Sequence, residues 1–302
     1  MGLLTGIKAN KAYRLQKNGQ TEEAIKIYEE AFAEGLNDPR YNLAYALLII
    51  RRGEYQKAKD FLVKHQKAPG MTPDQRVTLM VDYAVCCFRL GDLEKGINTL
   101  EQQFRKTETG LLYQTLGYLY VEKYDAARRP EFPPEEETAE DTEQETAEET
   151  AEAEETAEDS APGDAEPAQQ PDEGTAQEAA ADEKQLSPRE AWEAGVEKAE
   201  AFIRNSLDYD DEDPVCLDNM GQFLYRVRGD RAGAKKWFKK ALAIKDSQID
   251  TLYFLSRYDL ENGDREAALE KLEKAAAGRF SPLNYCDKET IEKEIATLKG
   301  AN

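Results

Sequence analysis

Apolar residues recur along this chain three and four positions apart: Ala24, Tyr28 and Ala31; Ala234, Phe238 and Ala241; Ala268, Leu272 and Ala275. That spacing lines up one face of an α-helix and predicts amphipathic helices rather than strands. Between the helical stretches one phrase keeps returning. Gly19-Gln20-Thr21-Glu22-Glu23-Ala24 recurs from Gly53 to Ala58, from Gly91 to Gly96, from Gly229 to Ala234 and from Gly263 to Ala268. Each places a small residue five positions after a glycine, and another small residue (Ala12, Ala46, Ala84, Gly221) precedes most of these glycines by seven or eight positions. A glycine ends one helix by turning left-handed, a polar residue starts the next, and facing small side chains let two antiparallel helices approach closely. Asp38-Pro39, Thr72-Pro73-Asp74-Gln75 and Asp213-Pro214 mark further helix starts by an oxygen-bearing cap before proline. The unit is helix, tight turn, helix, with a period of about 34 residues.

These positions resemble the tetratricopeptide repeat family, which has a small residue at position 8 of its unit, an apolar one at 11, Ala at 20, an aromatic at 24 and Ala at 27. The first unit reads Ala12, Leu15, Ala24, Tyr28 and Ala31, and the second Ala46, Ile49, Ala58 and Leu62. The third departs further, with Ala84, Cys87, Gly96 and Leu100. His65 and Gln103 stand at position 27 of the second and third units, where looser packing is expected. The resemblance implies an all-α fold, a right-handed superhelical solenoid of about six helical hairpins. Pro282 to Leu298, with Ile291, Ile295 and Leu298 on one face, reads as one more helix, a cap within residues 280–302.

The fourth unit has its first helix in Leu112 to Tyr124, with Gly117 and Tyr120 at the small and apolar positions, but no partner follows directly. A capping box with proline at the first helical position, Ser187-Pro188-Arg189-Glu190, opens a helix much later. In it Ala199 precedes Gly221 by 22 residues, as Ala24 precedes Ala46, and the 104 residues from Gly117 to Gly221 equal one repeat plus 70. The organisation expected is therefore repeats 1–3 and half of repeat 4 in residues 1–127, an insertion in 128–186, and the rest of repeat 4 with repeats 5 and 6 in 187–279.

Charge sharpens that picture. Glu131 to Ser187 holds 22 acidic residues and one lysine, which accounts for the whole formal net charge of −21 and leaves the remainder of the chain neutral. The segment iterates Thr-Ala-Glu-Glu variants from Glu135 to Asp159 and continues rich in Pro, Gly and Gln to Gln170. Like charges at helical spacing and almost no apolar side chain to bury predict a disordered acidic insertion with transient helix. The closure entropy of a flexible loop grows slowly with length, so the insertion need not break the array. The four cysteines form no CxxC pair and no disulfide framework, which fits a reducing compartment. Met1 to Lys11 lacks the apolar stretch of a signal peptide, the run Leu43 to Ile50 is too short for a bilayer, and Gly6 stands where a myristoylation signal needs Ser or Thr. A cytoplasmic protein is expected, without nucleic-acid or membrane partners.

Candidate chemistry is sparse. His65 is the only histidine, for which a surface or packing role is expected, and Cys86 and Cys87 are neighbours of which Cys87 takes an apolar repeat position, so core packing is expected of them. Asp208 to Asp213 resembles a calcium loop, but Asp213 occupies the place of its glycine, and a solvated turn is expected instead. No phosphate loop, HExxH or nucleophile elbow occurs, so neither catalysis nor a cofactor or metal is expected.

In the resembled family the first helices line a concave groove through positions 2, 5, 9, 12 and 13. In the first four units these include Tyr13, Leu43, Leu47, Ile50, Arg51, Val81, Val85, Phe88, Arg89, Tyr118 and Val121. The set is apolar with two arginines and suits an amphipathic helix or extended peptide of a protein partner, the arginines engaging a carboxylate. One subfamily grips chaperone C-termini with Lys, Asn, Asn, Lys and Arg; here Ala9, Tyr13, Ala44, Thr78 and Asp82 stand at those places, so that clamp is absent. The resemblance thus implies a non-catalytic scaffold whose partner and oligomeric state the chain does not name. Two alternatives stand beside it: the acidic insertion recruits a basic partner or competes for Arg51 and Arg89, or the chain is an accessory subunit of an enzyme complex.

Overall fold

Five short turns organise the chain, and each obeys the same local rule. In a computed structural model, which describes residues 3–132 and 186–300, Gly19, Gly53, Gly91, Gly229 and Gly263 all take positive φ between 70° and 86°. At four of them the next residue's N–H reaches back to close the helix end: Gln20 to the Leu15 carbonyl at 2.9 Å, Glu54 to Ile49 at 3.0 Å, Asp92 to Cys87 at 2.9 Å and Asp264 to Asp259 at 2.8 Å. The orphan carbonyls of one helix are thereby satisfied while the chain reverses into the next.

Among the described residues there are thirteen α-helices and no strand. Successive pairs form antiparallel hairpins: α1 (Leu3–Lys17) with α2 (Thr21–Ala33), α3 (Pro39–Arg51) with α4 (Tyr55–His65), and α5 (Pro73–Arg89) with α6 (Leu93–Phe104). Beyond them lie α7 (Gly110–Tyr124), a 3₁₀ turn (Ala126–Arg128) and α8 (Pro188–Tyr209). They are followed by α9 (Pro214–Gln222) with α10 (Arg231–Ile244), α11 (Ile249–Glu261) with α12 (Arg265–Ala276), and α13 (Lys288–Gly300) packed on α12. Residues up to Arg129 and from Trp192 onward belong to one compact unit. The second unit, 130–191, contributes only its two ends to the described residues, where the Arg189 guanidinium lies 5.8 Å from the centre of the Phe132 ring. The disorder expected of the acidic insertion falls on residues outside those described.

Caps begin the helices where the sequence places them. Thr72 Oγ accepts from the Gln75 amide at 3.2 Å while the Thr72 amide donates to Gln75 Oε1 at 3.0 Å, and Ser187 and Glu190 make the same reciprocal pair. Asp213 accepts from the amides of Val215 and Cys216, so the acidic turn before α9 ends in a cap.

Packing follows the small positions. A Cβ on Gly96 would stand 3.0 Å from the Ala84 carbonyl, a tight approach, and one on Gly221 would stand 2.6 Å from the Phe238 ring, which would have to move. Tyr28, Phe238, Ala24 and Ala268 are completely buried in the seams, each large ring contributing about 2–3 kcal/mol of burial. Across α7 and α8 the Tyr124 and Trp192 rings meet edge to face at 5.2 Å, and Ile203 comes within 3.7 Å of a Cβ placed on Gly117. The looser packing expected at His65 and Gln103 is not found. Both are buried; the His65 ring lies 4.3 Å from that of Phe61, and its Nδ1 is 2.9 Å from Asn37 Oδ1. Flat and polar, the imidazole fills the place of an alanine because Asn37 satisfies it.

The fifth hairpin carries one irregularity. Small residue and glycine are seven apart in the first three units but eight apart from Gly221 to Gly229. Residues Phe223–Arg228 are wound as a π-helical turn, which absorbs the additional residue without breaking the helix.

Candidate binding groove

The first helices of the units share one face, and the chain's own α12–α13 connection lies on it. A cavity of about 480 Å³ is walled by Leu47 and Ile50 of α3, Val81, Asp82 and Val85 of α5, Tyr118 of α7, Asp218 of α9 and Asp250 of α11. Arg279, Leu283 and Asn284, from the connection, close it. A second cavity of about 710 Å³ is lined by Tyr13, Leu43, Leu47 and Arg51 together with Lys17, Arg40, Asp82 and Arg279. A third, of about 590 Å³, takes in Arg51, Tyr55 and Arg89 on one side and Phe280, Tyr285 and Asp287 on the other.

Of the residues expected to line a groove, Leu47, Ile50, Val81, Val85 and Tyr118 meet around the first cavity, Tyr13, Leu43 and Arg51 around the second, and Arg51 and Arg89 around the third. Arg51 and Arg89 are exposed and make no ion pair among the described residues; Arg89 rests 5.5 Å over the Tyr55 ring. Phe88 is half-buried with its ring edge-on to Tyr118 at 6.0 Å. Val121 is a correction: it has no exposed surface and packs in the core, because α7 is covered by neighbours on nearly every side.

The connection corrects another expectation. The cap helix is expected from Pro282, yet α13 begins at Lys288. Ser281 and Asn284 close a local turn instead: Ser281 N–H donates to Asn284 Oδ1 at 2.7 Å, and Leu283 N–H to Ser281 Oγ at 3.2 Å. Asp287 Oδ1 then accepts from the Thr290 amide at 2.8 Å and starts α13. Ile291 of α13 is buried with Ile295 and Leu298 packed beside it, so the expected apolar face does cover α12.

Sequence reasoning missed the polar half of the site. Arg226, nearly buried, donates to Glu122 at 2.6 Å, Asp125 at 2.8 Å and Gln222 at 2.8 Å. Asp218 accepts from Thr251 and from Gln222, and Asp250 accepts from Asn284 Nδ2 and from the Tyr285 amide, each at 3.1 Å. Burial pushes the Asp218 carboxyl up to about 6 against its hydrogen bonds to Thr251 and Gln222. It also raises Asp250, with Asp218 adding to the effect, and pushes Asp82 up to about 7 despite nearby Arg51. The signal was present. Asp218 and Arg226 stand at positions 5 and 13 of the fifth unit and Asp250 at position 2 of the sixth, so extending the groove positions beyond the fourth unit names all three.

Other chemistry is confined to packing. All four cysteines are unpaired and buried, and burial pushes the Cys86 and Cys216 thiols up to about 12. Among the described residues no group of three His, Cys, Asp or Glu side chains could hold a metal ion, and no helix is long and apolar enough to cross a membrane.

Comparison with known proteins agrees with this architecture. Residues 17–103 match the family described as anaphase-promoting complex, cyclosome, subunit 3. Among solved structures, TTC0263, a thermophilic TPR protein of Thermus thermophilus, is similar with a TM-score of 0.53 at 15% identity over 87% of this chain and 99% of that one. The type IV pilus biogenesis factor PilW gives 0.54 at 12% identity over 97% and 100%. The APC/C hetero-tetramer Cut9–Hcn1 gives 0.53 at 12% identity, with 95% of this chain against 41% of that one. No curated protein matches in sequence. At such identities the likeness is one of fold, and the chain has the fold of a tetratricopeptide repeat solenoid.

Proposed function

We propose that the chain is a non-catalytic scaffold that binds a segment of a protein partner on the face shared by α3, α5, α7, α9 and α11. The carrying observation is the 480 Å³ cavity, in which Leu47, Ile50, Val81, Val85 and Tyr118 offer an apolar wall beside the carboxylates of Asp82, Asp218 and Asp250. An apolar wall with a few convergent polar groups is the usual make-up of a recognition site. Arg51 and Arg89, without ion pairs of their own, supply positive charge at the rim for a partner's carboxylate. A chain of the APC/C hetero-tetramer Cut9–Hcn1 is similar in fold over 41% of its length, which agrees with a role in assembly. The four unpaired cysteines favour a reducing compartment, the cytoplasm in this reading.

We further infer that the acidic segment is an insertion in the fourth hairpin, as the packing of Trp192 on Tyr124 and of Phe202 on Tyr113 and Tyr120 supports. A second reading makes that segment the recruiting element for a basic partner, favoured by the confinement of 22 acidic residues to it. Capture of partners by the intact chain, by Val85→Glu and by a chain lacking Glu131 to Glu183, each at low and high salt, separates the two. Loss of a salt-resistant partner with Val85→Glu alone supports the groove. Loss on deletion or with salt, with Val85→Glu unaffected, sinks it.

A further inference from the structure

Gly278–Asp287 makes the contacts that a bound peptide would make. Leu283 packs against the main core and enters the first cavity. Asn284 Nδ2 and the next backbone amide, that of Tyr285, both donate to a single oxygen, Asp250 Oδ1, at 3.1 Å. The Tyr285 ring lies 4.4 Å from the Arg226 guanidinium and 5.0 Å from the centre of the Phe254 ring. Of the receiving groups, Arg226 is held independently of this strap by Glu122, Asp125 and Gln222, whereas Asp250, buried on α11, accepts its hydrogen bonds from the strap. Within the strap Cys286 is buried and Phe280 packs beside it against the cluster formed by α11, α12 and α13, while the residues between them are less covered. Arg279, Ser281 and Tyr285 are exposed, and Leu283 and Asn284 are half-buried.

We infer that the strap is an intramolecular ligand of the groove, and that the groove's partner is an extended segment of the same chemistry: an aliphatic residue, then a carboxamide residue, then an aromatic one. Such a segment takes the strap's place on Asp250 and Arg226. The inference rests on the groove reading and adds to it the identity of the occupant. A buried carboxyl oxygen that receives one side-chain and one main-chain N–H selects a carboxamide, because an ionised acid at that place has no N–H to donate to it. The aromatic ring is selected by the guanidinium face. Joined to the array at both ends, the strap competes at an effective concentration of about millimolar, so a partner must bind more tightly than the strap does.

The test uses a fluorescein-labelled peptide of sequence Arg279–Tyr285, titrated into the full chain and into the full chain carrying Leu283→Asp, Asn284→Ala and Tyr285→Ala, which removes the strap's side-chain contacts with the first cavity, Asp250 and Arg226. Fluorescence anisotropy is expected to give at least tenfold tighter binding to the released variant than to the unaltered chain. The same peptide with Asn284→Asp is expected to bind at least tenfold more weakly. Equal affinity of the two proteins, with circular dichroism showing the variant folded, overturns the inference, as does equal affinity of the two peptides. If the variant does not fold, hydrogen exchange of the Tyr285 amide in the unaltered chain decides. Faster exchange with millimolar peptide supports displacement, and unchanged exchange overturns it. A failed peptide together with partner capture that Val85→Glu still abolishes would remove the strap's role and leave the groove reading standing.

Discussion

Arg226 and Glu122 are 104 residues apart in the chain, and a guanidinium nitrogen of one lies 2.6 Å from a carboxylate oxygen of the other. Both side chains are about 5% exposed, and Asp125 completes the pair from the end of α7. Two features meet there: the π-helical turn that carries Arg226, and the last turn of α7.

Removing one partner leaves the others charged in a dry place. Arg226→Met is expected to cost about 3–5 kcal/mol, because breaking a buried pair strands the remaining charge. Adding Glu122→Gln should restore part of the loss. Denaturant unfolding of the single and double variants reads this directly, and additive losses would mean that the two side chains do not interact.

The carboxyl of Asp82 is pushed up to about 7, mainly by burial and in spite of Arg51. The folded state therefore holds a proton that the unfolded chain releases near the ordinary aspartate value of about 3.9. A raised carboxylate weakens the fold as pH climbs from about 4 to 7, and the penalty is complete above that window. Asp82→Asn is accordingly expected to raise the melting temperature at pH 8 and to leave it nearly unchanged at pH 4. A variant that gains as much at pH 4 as at pH 8 would contradict the assignment.

Gly221 faces Phe238 so closely that a Cβ would stand 2.6 Å from the ring. Gly221→Val should gain little from helix propensity, about half a kcal/mol, and lose about 1–3 kcal/mol or more to overpacking. A net fall in melting temperature is expected, largest for this hairpin. An unchanged value would show that the α9–α10 seam can open at no cost.

The thiols of Cys86 and Cys216 are buried and pushed up to about 12, and that of Cys286 to about 11. Since the thiolate is the reactive form, a disulfide reagent at pH 8 should label the native chain very slowly and all four cysteines promptly in denaturant. Rapid labelling of the native chain would place one of them at the surface.

The sequence by itself determined most of what depends on near neighbours, the Ser281–Asn284 turn excepted. Four of the five glycine turns are closed by a bond across five residues, as between Asp92 and Cys87, and each side-chain cap by a bond across two or three, as between Thr72 and Gln75. The helical face of Ala24, Tyr28 and Ala31 is legible for the same reason, since periodicity is a local property. Even the π-helical turn left a trace, in the eight residues from Gly221 to Gly229. Only the tertiary structure decided which faces meet. That Arg279 shares a cavity with Arg51, that Tyr285 lies on Arg226, and that Asp218 and Asp250 are buried rather than solvated all depend on the small rotation between units added up over the array. Nothing in the residues around Pro282 records that sum, so the stretch reads as the start of a helix, whereas the accumulated curvature presents it with Asp250 as a hydrogen-bond acceptor and holds it as a strap.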